Sequence, residues 1–123
     1  MKTSKQKIGD MGENIAVQYL KKHKFDIIGR NFKCYWGEID IIAKYKNEIV
    51  FIEVKTRKKA MGEPYGNPED AVNEKKLSNI RTSAGVFLEK NNMLENINWR
   101  IDIVAIKINW VKRIAQLKHI PNV

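Results

Sequence analysis

Cysteine occurs once in the 123-residue chain, at Cys34, which excludes an internal disulfide framework and any zinc site built from several cysteines. A lone thiol of this kind reads as a partly buried side chain in a reducing compartment. Long apolar runs are missing as well. No segment approaches the length of a membrane span, and the basic start MKTSKQKIGD is followed by no apolar stretch of the kind a signal peptide carries. The expectation is a cytoplasmic protein without a membrane partner. Internal repeats, low-complexity tracts and linkers are also absent, so one domain is expected at this length. Acidic residues are few, 14 against 23 lysines and arginines, for a formal net charge of +9. Such an excess attracts polyanions, and nucleic acid is the commonest partner of a small basic domain, although a solvated basic surface gives the same count. An apolar share of 43% is enough for a core and argues against wholesale disorder.

What is present centres on Gly37 to Arg57, GEIDIIAKYKNEIVFIEVKTR. Ile39–Tyr45 and Ile49–Val54 are rich in β-branched and aromatic residues and read as adjacent strands. Between them Lys46-Asn47-Glu48 is a polar break whose asparagine tolerates positive φ, as a tight hairpin requires. A two-residue loop at Lys46-Asn47 sets Asp40 opposite Glu53 and Glu38 opposite Lys55. Directly opposed side chains lie about 4.5–5.5 Å apart at Cβ. Two carboxylates at that spacing repel unless a cation sits between them, and carboxylate oxygens suit Mg²⁺.

Residues 1–9 read as a basic, flexible arm containing Lys5 and Lys7, with a single domain over 10–123. Asp10 has the spacing of a capping box with Glu13 and is expected to start a helix that runs to about Lys22. Glu13 shares a helical face with Ala16, Val17 and Leu20. It is therefore either the far half of that box or a carboxylate aimed at a metal site. Phe25–Lys33 reads as a strand with a bulge or bend at Gly29. In the second hairpin strand Val50, Ile52 and Val54 face one way and Ile49, Phe51, Glu53 and Lys55 the other, so that strand is expected to be central. Arg57 to Asn67, with Lys58 and Lys59, reads as a basic loop, either a DNA-contacting lid or a solvated connector. Asn67-Pro68 predicts the start of a second helix running to about Lys90. Val72, Ile80, Ala84 and Leu88 step by four along its inner face, and the one gap is Lys76, which either snorkels or reaches a phosphate. Ile97–Ile108 reads as a long strand in which Arg100 and Asp102 form a surface ion pair. Val111–Lys118 is a short strand or a helical turn. The order helix, three strands, helix, one or two strands predicts a mixed α/β domain, its central sheet covered by helices.

Several segments, in this order, match one family. They are Gly12-Glu13 with Ala16 and Leu20, Asn31-Phe32, Gly37-Glu38-Ile39-Asp40, Phe51 to Arg57, Tyr65 to Val72, Lys76 and Arg100-Ile101-Asp102. On them the chain resembles the YraN-like family of small bacterial proteins, a branch of the PD-(D/E)XK, or restriction-endonuclease-like, nuclease superfamily similar to archaeal Holliday junction resolvases. The resemblance implies an αβββαβ core and a Mg²⁺- or Mn²⁺-dependent endonuclease acting on DNA, with branched or flapped DNA as the favoured form. It implies Asp40 and Glu53 as metal ligands, with Val54 and Glu13 completing the metal set, and Lys55 as the lysine that orients or deprotonates the attacking water. It places Lys76 near the phosphate. The basic residues Lys5, Lys7, Arg57, Lys58, Lys59, Lys75 and Lys76 are expected to hold backbone phosphates without reading sequence. The related resolvases act as dimers, so a homodimer is one expectation. The rival readings are a non-catalytic nucleic-acid-binding module with the same fold and an adaptor for an acidic partner.

Overall fold

Strand alternation and helical spacing both carry through to the architecture. A computed structural model describes residues 1–58, 73–93 and 97–123. Within them the chain runs α1 (Ser4–Lys22), β1 (Asp26–Cys34), β2 (Gly37–Tyr45), β3 (Glu48–Lys58), α2 (Glu74–Lys90), β4 (Asn98–Asn109) and β5 (Ile114–Ile120). The strands form one mixed sheet in the order β1-β2-β3-β4-β5. Neighbours are antiparallel except β3 and β4, which are parallel and joined through α2, as a parallel pair requires. This is the restriction-endonuclease-like α/β core.

β3 is central because it can be buried on both sides. Val50 and Ile52 join Ala16, Val17 and Leu20 of α1 and Val104 and Ile106 of β4 in one core. Ile49 and Phe51 join Ile80, Ala84 and Leu88 of α2 and Ile101 of β4 in the other. One helix therefore covers each face. The β2–β3 register is the expected one, with Ile41 opposite Ile52 and Tyr45 opposite Glu48 across a two-residue turn. The left-handed turn residue is Lys46 (φ 53°) rather than Asn47. Gly29 marks the anticipated irregularity, a register shift between Ile27 and Gly29 in the β1–β2 ladder.

Five expectations need correction. The basic arm over 1–9 does not persist, because α1 begins at Ser4. Its cap is Thr3, whose hydroxyl accepts from the Gln6 amide at 3.1 Å while the Gln6 side chain accepts from the Thr3 amide at 2.8 Å. Asp10 caps nothing and pairs with Lys2. Arg57 and Lys58 are strand residues, opposite Lys107 and Ile108, rather than the start of a loop. The second helix does not run unbroken from Pro68, since Asn73 is extended (φ −99°, ψ 177°) and caps α2 by accepting from the Lys76 amide. The expected lid with Lys59, and the helix start at Asn67-Pro68, lie outside the described residues. Finally, Asp102 is not at the surface: it is fully buried.

Candidate active site

The site forms where β2 and β3 part. Their ladder ends at Ile41 opposite Ile52. One step beyond, the Val54 amide donates to Asp40 Oδ2 at 2.8 Å. A side chain thus takes a strand N–H where the backbone ladder has stopped, and the bond holds the Asp40 carboxylate across the fork. Glu53, next to Val54, is only 5% exposed. Its carboxyl lies within hydrogen-bonding reach of that of Asp40. The expected juxtaposition of Asp40 and Glu53 is present, although the two residues no longer belong to a regular ladder. Glu38 does not pair with Lys55; it pairs with Lys33 on β1.

Burial of two close carboxyl groups sets their chemistry. Desolvation, followed by the charge of Glu53, pushes Asp40 up to about 7. Burial also raises Glu53, against the opposing pull of Lys76. Lys76 Nζ lies 3.4 Å from Glu53 Oε1, so the lysine on the inner face of α2 answers the buried acid. Lys55, half-buried two residues beyond Glu53, lines a pocket of about 570 Å³ together with Asp40 and Val54.

Glu13 reaches this pocket from mid-helix rather than from a helix start. Burial and the nearby Asp40 raise its carboxyl. Arg30 holds it, with both Nε and Nη2 at 3.3 Å from Oε1, and Nη2 also bonds Asn14 Oδ1 at 2.9 Å. Arg30 was not singled out from the sequence; only the β1–β2 register brings it beside α1. Lys5 and Lys58 line the pocket, as do Glu38 and Thr56. Lys7 faces an adjoining depression on α1 instead. Arg57 and Lys75 are exposed.

Among the described residues no three His, Cys, Asp or Glu side chains converge closely enough to hold a metal by themselves. The donor set nevertheless fits Mg²⁺ or Mn²⁺. Such an ion is commonly bound by one or two carboxylates and keeps several waters or phosphate oxygens. Asp40 and Glu53 would supply the two carboxylates, and their mutual repulsion is what a cation would relieve. Glu13, engaged by Arg30, stands beside that pair rather than within it.

The apo protein should record this repulsion in its stability. Folded Asp40 keeps its proton up to about pH 7, whereas an unfolded aspartate loses it near pH 4. The native state therefore binds the extra proton between those values, and stability falls as pH rises through them. Asp40→Asn, whose amide oxygen can still accept from Val54, removes the penalty. In EDTA at pH 8 the variant is expected to be more stable by ~2 kcal/mol, a melting point higher by roughly 5–10 °C. The gain should shrink toward pH 4, and stabilisation of the parent by Mn²⁺ should be lost. Thermal melts at pH 5 and pH 8 check this; a variant less stable than the parent at pH 8 contradicts it.

Comparison with known proteins gives the same family as the sequence motifs. The model of uncharacterised protein family UPF0102, the YraN family, matches residues 12–106. Similar proteins carrying that family name include one of Clostridium botulinum, 42% identical over 115 residues, which are 94% of this chain and 91% of the relative. One of Clostridium acetobutylicum is 40% identical over 117 residues, 95% of this chain and 93% of the relative. One of Caldanaerobacter subterraneus subsp. tengcongensis is 41% identical over 122 residues, 98% of this chain and 97% of the relative. None of these names states an activity. No helix of the described residues is long and apolar enough to cross a membrane.

Proposed function

We propose, for a chain that belongs to the uncharacterised protein family UPF0102, that it is a metal-dependent nuclease hydrolysing DNA phosphodiester bonds. The observation that carries this reading is the meeting of the Asp40 and Glu53 carboxyls at the strand fork, with Lys55 two residues beyond Glu53 on the same strand. A buried pair of mutually repelling acids destabilises a protein, and a structural role alone does not account for it.

Asp40, Glu53 and the Val54 carbonyl would hold Mg²⁺ or Mn²⁺. When bound, that ion supplies Lewis-acid stabilisation of charge on the phosphoryl oxygens. The Val54 amide orients Asp40, and Lys76 offsets the charge of Glu53. Lys55 is placed to hold the attacking water and a phosphate oxygen. Arg30 orients Glu13, which would accept a hydrogen bond from a water in the pocket. Lys5 and Lys58 would bind flanking phosphates, so affinity should fall steeply with salt and depend little on base sequence. The resemblance to resolvases directs the choice of substrates toward branched DNA.

The test is cleavage of labelled linear, nicked and four-way DNA, with and without Mg²⁺ or Mn²⁺. Cleavage should require the metal and fall about 100-fold or more in Asp40→Asn and in Lys55→Ala, with binding retained. Binding without cleavage on every substrate and with either metal would point to a non-catalytic nucleic-acid-binding module. Absence of binding would point to an adaptor.

A further inference from the structure

We infer that Tyr35 and Trp36, at the tip joining β1 to β2, form a stacking platform for unpaired bases and direct the site toward DNA carrying a short single-stranded segment. The inference rests on the nuclease reading above and names the substrate class of that site.

Tyr35 is 92% exposed and Trp36 51% exposed, although both carry large apolar rings. Their centroids lie 5.1 Å apart at an interplanar angle of 88°. The contact is edge to face, so the two rings are not stacked on each other. The tip is anchored beneath them. Cys34 pairs with Gly37 to close the turn, and the Cys34 thiol donates to Ser83 Oγ of α2 at 3.3 Å. Gly37 has φ +148°, a conformation that side chains rarely adopt. The turn is therefore held to α2 while its two rings face solvent.

Charge around the tip suits a polyanion. Lys33 is exposed one residue before Cys34, and Lys90 at the end of α2 lies over the Phe32 ring, 6.0 Å from its centroid. The nearby acid, Glu38, is opposite Lys33. Basic side chains interleaved with open aromatic faces are the elements of single-strand binding, because every base offers a π face. Within a duplex the bases present only their edges in the grooves, so away from its ends a ring face meets a base face only where a base is unpaired.

Position supplies the distance from the chemistry. Trp36 and Asp40 are four residue steps apart, roughly 13 Å along a strand. A stacked nucleic-acid strand advances about 3.4 Å per nucleotide. An unpaired base at the tip would then lie about four nucleotides from the phosphate at the carboxylate pair, as at a flap or near a junction.

The test is fluorescence anisotropy in EDTA with a short thymidylate strand, a blunt duplex and a flapped duplex, comparing the parent with Tyr35→Ala/Trp36→Ala and with Trp36→Phe. The double variant should lose tenfold or more in affinity for the strand and the flap while staying within about twofold on the blunt duplex. Trp36→Phe should recover most of the loss, and 2-aminopurine in the flap should be quenched by the parent but not by the double variant. Equal losses on all three ligands, or no loss on any, would overturn the inference while leaving the nuclease reading standing. A parent that binds none of the three would overturn both.

Discussion

Replacing Gly12 by alanine is expected to destabilise the protein by about 3 kcal/mol and lower its melting point by roughly 10 °C, despite alanine's better helix propensity. A Cβ at Gly12 would lie 1.9 Å from Thr56 Oγ1, 2.6 Å from Cγ2 and 2.7 Å from Cβ. These atoms belong to a short β-branched side chain on the central strand and have little freedom to move aside. The gain from alanine inside a helix is about 1 kcal/mol, so the clash prevails. α1 must back away from β3, loosening Ala16, Val17 and Leu20 from Ile52 and Val104. Glu13 would move with the helix, so cleavage should fall further than the loss of folded protein explains. Urea unfolding measures the first effect and single-turnover cleavage the second. Adding Thr56→Ala removes Oγ1 and Cγ2 but leaves Cβ, so it should recover part of the stability. A single variant within about 0.5 kcal/mol of the parent would show that helix and strand are not in tight contact.

Asp102→Ala is expected to be at least as damaging, about 3–5 kcal/mol, because it removes one partner of a buried ionic network. Asp102 Oδ1 accepts from Arg100 Nε at 3.0 Å and from the Asn122 amide at 2.9 Å. Oδ2 accepts from Arg100 Nη2 at 3.2 Å and bonds His119 Nε2 at 2.7 Å. In the neutral ring with Nε2 protonated, His119 Nδ1 accepts the Tyr19 hydroxyl at 2.9 Å, which ties α1 to β5. Arg100 also reaches Glu48 at 3.3 Å and lies over the Tyr45 ring. Without the carboxylate, a mostly buried guanidinium loses its bidentate acceptor and the end of β5 loses its anchor. Burial would raise the Asp102 carboxyl, but the bonds from His119, Asn122 and Arg100 outweigh it and hold it below its usual value. A lowered carboxyl contributes stability that is present above the unfolded-state value, near pH 4, and is lost as pH falls below it. The gap between parent and variant should therefore be full at pH 7 and narrow on acidification. Urea midpoints at pH 7 and pH 3 test this. A loss under about 1 kcal/mol at pH 7 would mean that water satisfies Arg100 as well as Asp102 does.

Neither the close approach of Gly12 to Thr56 nor the burial of Asp102 was legible in the sequence, whereas the hairpin was. The hairpin register was legible because β-branched runs flank a two-residue polar break, and only one pairing places their apolar residues together. The central position of β3 was legible because both alternating faces of Ile49–Val54 are apolar. The juxtaposition of Asp40 and Glu53 follows from that hairpin alone, the role expected of Lys55 rests on the family resemblance, and Lys76 was visible as the charged gap in an apolar helical stripe. The helix start was misread because Thr3-x-x-Gln6 and Asp10-x-x-Glu13 both have capping spacing. The earlier box prevails because Ile8, Met11 and Ile15 continue the face that packs on the α1 core.

By itself the sequence determined the order of elements, the hairpin that carries the carboxylates and the excess of basic charge. Each is a property of neighbouring residues or of their sum. Tertiary structure alone decided that Asp40 accepts the Val54 amide at the fork, that Arg30 holds Glu13, that Lys76 answers Glu53 and that Asp102 is buried beneath β5. Those contacts join residues 14 to 23 positions apart, with Asp102 reaching His119 and Asn122, 17 and 20 positions away. Periodicity assigns a side chain to a face, but only the packing of distant segments excludes water from it. Exclusion of water is what turns a surface ion pair into a buried network, and two adjacent acids into a pair whose charges repel.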